Sequence, residues 1–247
     1  MSLPPEEQEF FIGYEPTPPQ LRRSLARIAW VLGGLAGGAA IAIAAGHVRL
    51  EGGTFAFGRP ERIAGTIAPT PYPAIELESN RGAAALLVGA GKHAAPAPGP
   101  PGRRVQAEAT RIARDRAVMM ELVPDSLTGE PAERRPDDRP AAAAVLRLRG
   151  EIVDSKCFLG VMVPGAGTTH RECATLCLRG GIPPALFVQD RRGGSALLLL
   201  TGGSGEALQQ RAVALAGTAI EVSGRVTRRA GWLVLESDPA SWRPIAP

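Results

Sequence analysis

Residues 28–46 read IAWVLGGLAGGAAIAIAAG, an uncharged apolar stretch long enough to cross a bilayer as one helix. Arg22, Arg23 and Arg27 stand just before it. Basic residues on that flank favour a cytoplasmic N-terminus and put the bulk of the chain on the far side of the membrane. Arg49, Arg59 and Arg62 on the other flank weaken this bias without reversing it, because long domains translocate largely regardless of charge. The competing reading is a cleaved signal, with Arg22-Arg23-Ser24 as a twin-arginine pair and Ala42-Ile43-Ala44 as the cleavage site. A retained anchor is preferred because the apolar run exceeds a usual signal core and the segment ahead of it is long. Gly33 with Gly37, and Gly34 with Gly38, give overlapping small-xxx-small spacings that let another helix approach closely; an Ala/Gly-rich composition alone gives the same pattern. Ahead of the span, EFFIGYEPTPP carries Phe10, Phe11, Ile12 and Tyr14, suited to a lipid interface or to a partner subunit.

Beyond the span the period changes to two. Residues 61–125 and 146–238 share a pattern, matched with a one-residue slip. Each opens with an alternating strand holding one glycine, ERIAGTI and LRLRGEIVD, and continues with an apolar strand, AALLVGAG and SALLLLTGG. Each closes with a hairpin, GRRVQAEATRIARDRAVMMEL and GTAIEVSGRVTRRAGWLVLES, turning at Arg114-Asp115 and Ala230-Gly231 and ending near Glu121 and Glu236. Alternation broken by turn residues predicts strands, and repetition predicts a duplicated unit. In the second copy SGEALQQRAVALAG predicts a helix from Ser204, between the third and fourth strands. Five strands with a helix at that place indicate an OB-like, partly open barrel. The first copy has the Pro-rich loop HAAPAPGPPG instead.

The sequence therefore predicts a mainly β protein with one transmembrane helix and two OB-like barrels in tandem. Its parts are a cytoplasmic tail (1–27), the span (28–46), a first β domain (48–125), a Pro-rich linker (126–145) and a second β domain (146–240). Composition agrees: 45% hydrophobic and 21% charged residues exclude a disordered chain, and 30 Gly with 23 Pro suit short strands and many turns. The net charge of +4 comes almost entirely from Arg, since Lys occurs only at Lys92 and Lys156. No basic run is interleaved with stacking aromatics, so nucleic acid is not expected as a partner.

All three cysteines fall in DSKCFLGVMVPGAGTTHRECATLC, giving C-x12-H-x2-C-x3-C at Cys157, His170, Cys173 and Cys177. With Thr168 or Thr169 as N-cap and Gly180-Gly181 as stop, HRECATLCLRGG predicts a short helix. On it, positions 170, 173 and 177 share one face, and Cys157 arrives from the end of a strand. Three thiolates and an imidazole form a Cys3His donor set for zinc, and soft thiolates also suit Cu(I). The alternative is a disulfide from Cys157 to Cys173 or Cys177, which leaves one cysteine over and gives His170 no role. A catalytic thiol is the remaining reading. The spacing is not that of a zinc finger, a c-type haem attachment or an iron–sulfur site. Asp154 and Glu172 are placed to orient a His ligand, and Met162 is a possible further soft ligand better read as core or loop. Gly91-Lys92-His93 is a weaker anion-binding candidate or plain surface.

The run V-D-x-x-C…H-R-x-C-A-x-x-C-x-x-G-G-I-P, within residues 147–190, resembles a signature of bacterial membrane-anchored extracytoplasmic proteins of uncharacterised function. An anchor followed by an OB-like barrel is also similar in architecture to the periplasmic haem chaperones of cytochrome c maturation, although their haem-attaching motif is missing here. This likeness implies a handler of metal or cofactor. The sequence expectation is a single-pass inner-membrane protein with its bulk in the periplasm. It would act as a binding or accessory subunit of a membrane respiratory or redox complex, with a structural metal site of zinc or copper. The alternative is a copper or thiol-redox handler acting through the same cluster. A binding module is expected rather than an enzyme: there is no Ser/His/Asp set or spaced carboxylate pair, and Glu172 is the only general base a metalloenzyme would have.

Overall fold

The computed structural model describes residues 19–48, 52–79, 83–130, 141–190, 192–202 and 205–245. Residues 9–18 of the aromatic segment, the middle of the expected linker and Ser204 lie outside them. The described residues form two compact units, helix α1 and everything from Gly52 onward.

Helix α1 spans Pro19–Val48, starting well before residue 28. Proline suits a first helical turn because its missing N–H has no acceptor there, and the Leu, Ala and Arg that follow are good helix formers. The apolar part, Leu21–Ala45, is long enough to cross a membrane, a property that anchors share with signal sequences.

The second unit holds β1 Thr54–Phe55, β2 Glu61–Ile67, β3 Ala74–Leu77, β4 Ala85–Val88, β5 Arg104–Arg114, β6 Ala117–Leu122 and β7 Thr128–Gly129. It continues with β8 Ala141–Asp154, α2 Arg171–Arg179, β9 Pro184–Gln189, β10 Ser195–Thr201, α3 Gly205–Ala214, β11 Ala219–Arg229, β12 Trp232–Glu236 and β13 Arg243–Pro244. In the first half β2 pairs with β3, β3 with β4, β4 in parallel with β6, β6 with β5, and β5 back with β2. The second half repeats this order with β8, β9, β10, β12 and β11. Both are closed five-stranded barrels of OB-like topology, as the alternation predicts, with closure complete rather than partial. Helix α3 sits between the third and fourth strands of the second barrel, where the first has the loop after β4.

The glycine in each opening strand has one job in both copies. A Cβ on Gly65 would lie 2.2 Å from the Glu76 carbonyl oxygen, and one on Gly150 would lie 2.4 Å from that of Phe187. Each barrel bends its first strand so tightly over the second that a side chain has no room.

Two boundaries differ from the sequence expectation. Strand β7 and the start of β8 fall inside the expected linker, because pairing with β5 and with β11 recruits a Thr-Gly pair and an alanine run of weak strand preference. The second barrel also runs past residue 240: Trp242 is fully buried, and Arg211 donates to its carbonyl at 2.9 Å.

The barrels share an apolar seam in which Leu86, Ile112 and Met119 of the first pack with Val153, Leu199 and Val234 of the second. Trp232 Nε1 donates to the Ala84 carbonyl at 2.7 Å, and the Ala84 amide donates to the Ala230 carbonyl at 2.9 Å. Gly65→Ala and Gly150→Ala are each expected to lower stability by about 2 kcal/mol, the cost of forcing an atom into filled space. Denaturant midpoints check this, and an unchanged midpoint for both would contradict the shared close approach.

Candidate metal centre

Strand β8 carries the chain into the interior and ends on Asp154, which is fully buried. The Asp154 Oδ1 accepts from the Cys157 amide at 2.8 Å and so folds residues 154–157 into a tight turn. One wide helical turn follows, Cys157–Val161, kinked at Gly160 (φ 153°), where a Cβ would lie 2.6 Å from the Thr54 carbonyl. The chain returns through a 3-10 turn, Thr168–His170, into α2. Neither Thr168 nor Thr169 caps the helix: His170 is its N-cap residue, with no side-chain cap bond. The 3-10 turn displaces the expected cap, and Glu151 Oε1 instead accepts from the Gly167 amide at 2.6 Å. The stop is as expected, with Gly180 at the C-cap and Gly181 at φ 88°, where the left-handed backbone favours glycine.

This path brings Cys157, His170, Cys173 and Cys177 together. Cys157 Sγ lies 3.9 Å from Cys173 Sγ and 3.8 Å from Cys177 Sγ, and none of the three is in a disulfide. A tetrahedron with metal–sulfur bonds near 2.3 Å has edges of about 3.8 Å, so these separations fit sulfurs sharing one ion. The donors form two overlapping groups, Cys157–His170–Cys173 and Asp154–Cys157–Cys177, each with its ligand atoms within 4.8 Å of one another. Asp154, expected only to orient, thus also stands at ligand distance. It orients as well: His170 Nε2 is 2.9 Å from Asp154 Oδ2, with both side chains buried. A carboxylate bound to one ring nitrogen fixes the imidazole and leaves the other nitrogen for a metal. Together the five residues cluster in a way that could hold a metal ion. Glu172 is exposed on α2 and is not among the clustered ligand atoms, whereas Met162, exposed at 43%, lies in the loop after the wide turn, in keeping with its preferred reading.

Both lysines of the chain meet this region, and sequence reasoning missed that. Lys92, on the loop after β4 of the first barrel, places Nζ 3.0 Å from Cys173 Sγ and 3.6 Å from Cys177 Sγ. It serves the cluster rather than an anion-binding loop, and His93 beside it is exposed. Lys156 is 2% exposed and bonds the Gly89 and Gly91 carbonyls at 2.9 and 2.5 Å and the Glu121 carboxylate at 2.5 Å. The available signal was rarity: in a chain rich in arginine, two lysines mark places that need a compact ammonium group.

The electrostatics separate the thiols. A hydrogen bond from Cys157 holds the Cys177 thiol below its ordinary range, aided by Lys92 and opposed by burial and by Asp154. The same bond, then burial, then the negative charge of Asp154 push Cys157 far above that range. Lys92 stays protonated, chiefly through its bond to Cys173. The site thus pairs a ready thiolate with a cation. Such a set suits a thiophilic ion, whose binding drives off the proton that Cys157 retains.

Comparison with protein-family models, curated proteins and solved structures gives no significant match to this chain.

In metal-free protein, thiolate absorbance is expected to rise in separate steps, one below and one above the ordinary thiol range. Lys92→Met should move the lower step upward, because it removes the cation that favours the Cys177 thiolate. A single step near the ordinary thiol value, unmoved by the substitution, would contradict this electrostatic picture.

Proposed function

We propose that this chain is a membrane-tethered, extracytoplasmic binding or accessory subunit, serving a membrane respiratory or redox complex. In this reading its Cys/His cluster holds one zinc ion as a structural staple. The observation that carries it is the pair of sulfur–sulfur separations, 3.9 and 3.8 Å, in a cluster whose imidazole is already oriented by a buried carboxylate. The candidate ligands all belong to the second barrel, so an ion there would tie the end of β8 to α2, with Lys92 of the first barrel against the sulfurs. The apolar helix supports tethering. Its glycines Gly33, Gly34, Gly37 and Gly38 are open at the Cβ position, which suits packing against another helix. The arginines before the span support a periplasmic position for the bulk of the chain.

The second reading, a carrier of copper or reducing equivalents, is favoured by one feature: Cys173 is only partly buried while Cys157 and Cys177 are buried. An accessible sulfur is where metal or disulfide exchange would start.

Chelator treatment separates the two. The structural reading expects slow release of metal and a fall in melting temperature of about 10 °C, reproduced by His170→Ala. Release to a competing chelator within seconds, with unchanged melting, would overturn it in favour of the carrier.

A further inference from the structure

A cavity of about 660 Å³ opens between the barrels, on residues the metal centre does not use. The hairpin turns that close the two repeats both line it, the β5–β6 turn from one side and the β11–β12 turn from the other. Four guanidinium groups face it, from Arg111, Arg114, Arg116 and Arg228, against one carboxylate, Asp115. Phe158 and Phe187 supply an aromatic wall, their ring centres 4.6 Å apart.

Two of these arginines are committed to the wall. Arg114 lies over the Phe158 ring at 4.3 Å and donates to the Phe158 carbonyl at 3.1 Å. Arg228 donates to the Gly231 carbonyl at 3.0 Å. The other two are not: among the described residues, Arg111 and Arg116 have no hydrogen bond or ion pair through their side chains. Arg111 is moreover partly buried, on the strand rather than the turn. The nitrogens of Arg111 and Arg116 are open rather than buried, so each of these two guanidinium groups can give an anion in the cavity two parallel charge-assisted hydrogen bonds. The volume is that of a small-molecule site, too small for a macromolecule.

We infer that this cavity binds a small planar dianion, an aromatic or conjugated body carrying carboxylate or phosphate groups. Its charged groups pair with Arg111 and Arg116, with the remaining N–H groups of the exposed Arg228 beside them, and its flat face lies against the partly buried Phe187, next to the Arg114 that covers Phe158. This assignment does not depend on the metal reading.

The test is calorimetric titration of the full chain, in neutral detergent, with naphthalene dicarboxylate. One saturable site per chain is expected, weakened about tenfold by Arg111→Gln, the loss of one charged hydrogen-bonding partner. Arg116→Gln combined with Arg228→Gln changes only exposed positions and should weaken binding at least as much, so a folding defect in the first variant does not remove the test. Arg59→Gln, outside the cavity, should have no effect. Absence of saturable binding at millimolar probe would overturn the inference, as would equal binding by the double variant. Equal affinity for adipate, which carries the same charges without a ring, would overturn the aromatic half of the assignment.

Discussion

One buried ammonium group organises the metal-centre region. Lys156 is almost fully enclosed, and a charge so placed persists only if acceptors surround it. All three acceptors, the Gly89 and Gly91 carbonyls and the Glu121 carboxylate, come from the first barrel, while the lysine belongs to the second. Separating the two barrels would break all three of these bonds at once. The residues around the lysine are fixed with it: Asp154 just before, Cys157 just after, and the loop that carries Lys92. At the far end of the same contact, the Ala94 amide donates to the Gly180 carbonyl at 2.8 Å. Gly180 is tolerated there because a side chain would collide with the Lys92 carbonyl. The two ammonium groups, and through Lys92 the Cys173 and Cys177 thiols, are thus held by contacts that both barrels must supply.

The asymmetry of the duplication makes this possible. Both copies keep the same strand order and the same bent first strand. They differ at two connections. The second copy inserts the turn and helix that carry Cys157, His170, Cys173 and Cys177 between its first and second strands. The first copy lacks the helix between its third and fourth strands and has a Pro-rich loop there. That loop reaches the inserted helix and delivers Lys92. A scaffold repeated faithfully in its sheets has diverged where its two halves meet, at the metal centre on one side and at the arginine-lined cavity on another.

Much of this was readable before the structure because it rests on local rules. Period-two alternation broken at Arg114-Asp115 and Ala230-Gly231 marks the hairpins, the glycines at 180 and 181 stop α2, and the cysteine spacing gathers the sulfurs. What was not readable depends on distant chain. The short strand β3 has too few residues to show a period. The alanine run became strand because β11 lies beside it, against its own preference. Trp242 lies beyond the expected domain end at 240 and is core. Asp154 could be placed near the cluster from its position, but its complete burial at the end of β8, which makes it an orienting group and a potential ligand, comes from the packing around it. Lys92 precedes Cys173 by 81 residues, and only the packing of one barrel on the other brings them into contact.

In the proposed reading Cys157, Cys173, Cys177, His170 and Asp154 hold a metal ion at this seam. The most direct measurement is metal content with X-ray absorption at the metal edge, on the full chain purified from an oxidising compartment, together with a free-thiol count. The account predicts about one zinc or copper ion per chain, sulfur neighbours at about 2.3 Å alongside nitrogen or oxygen, and thiols protected until a chelator is added. A metal-free protein with a single reactive thiol per chain would mean that two of the three cysteines are joined in a disulfide, and would contradict it.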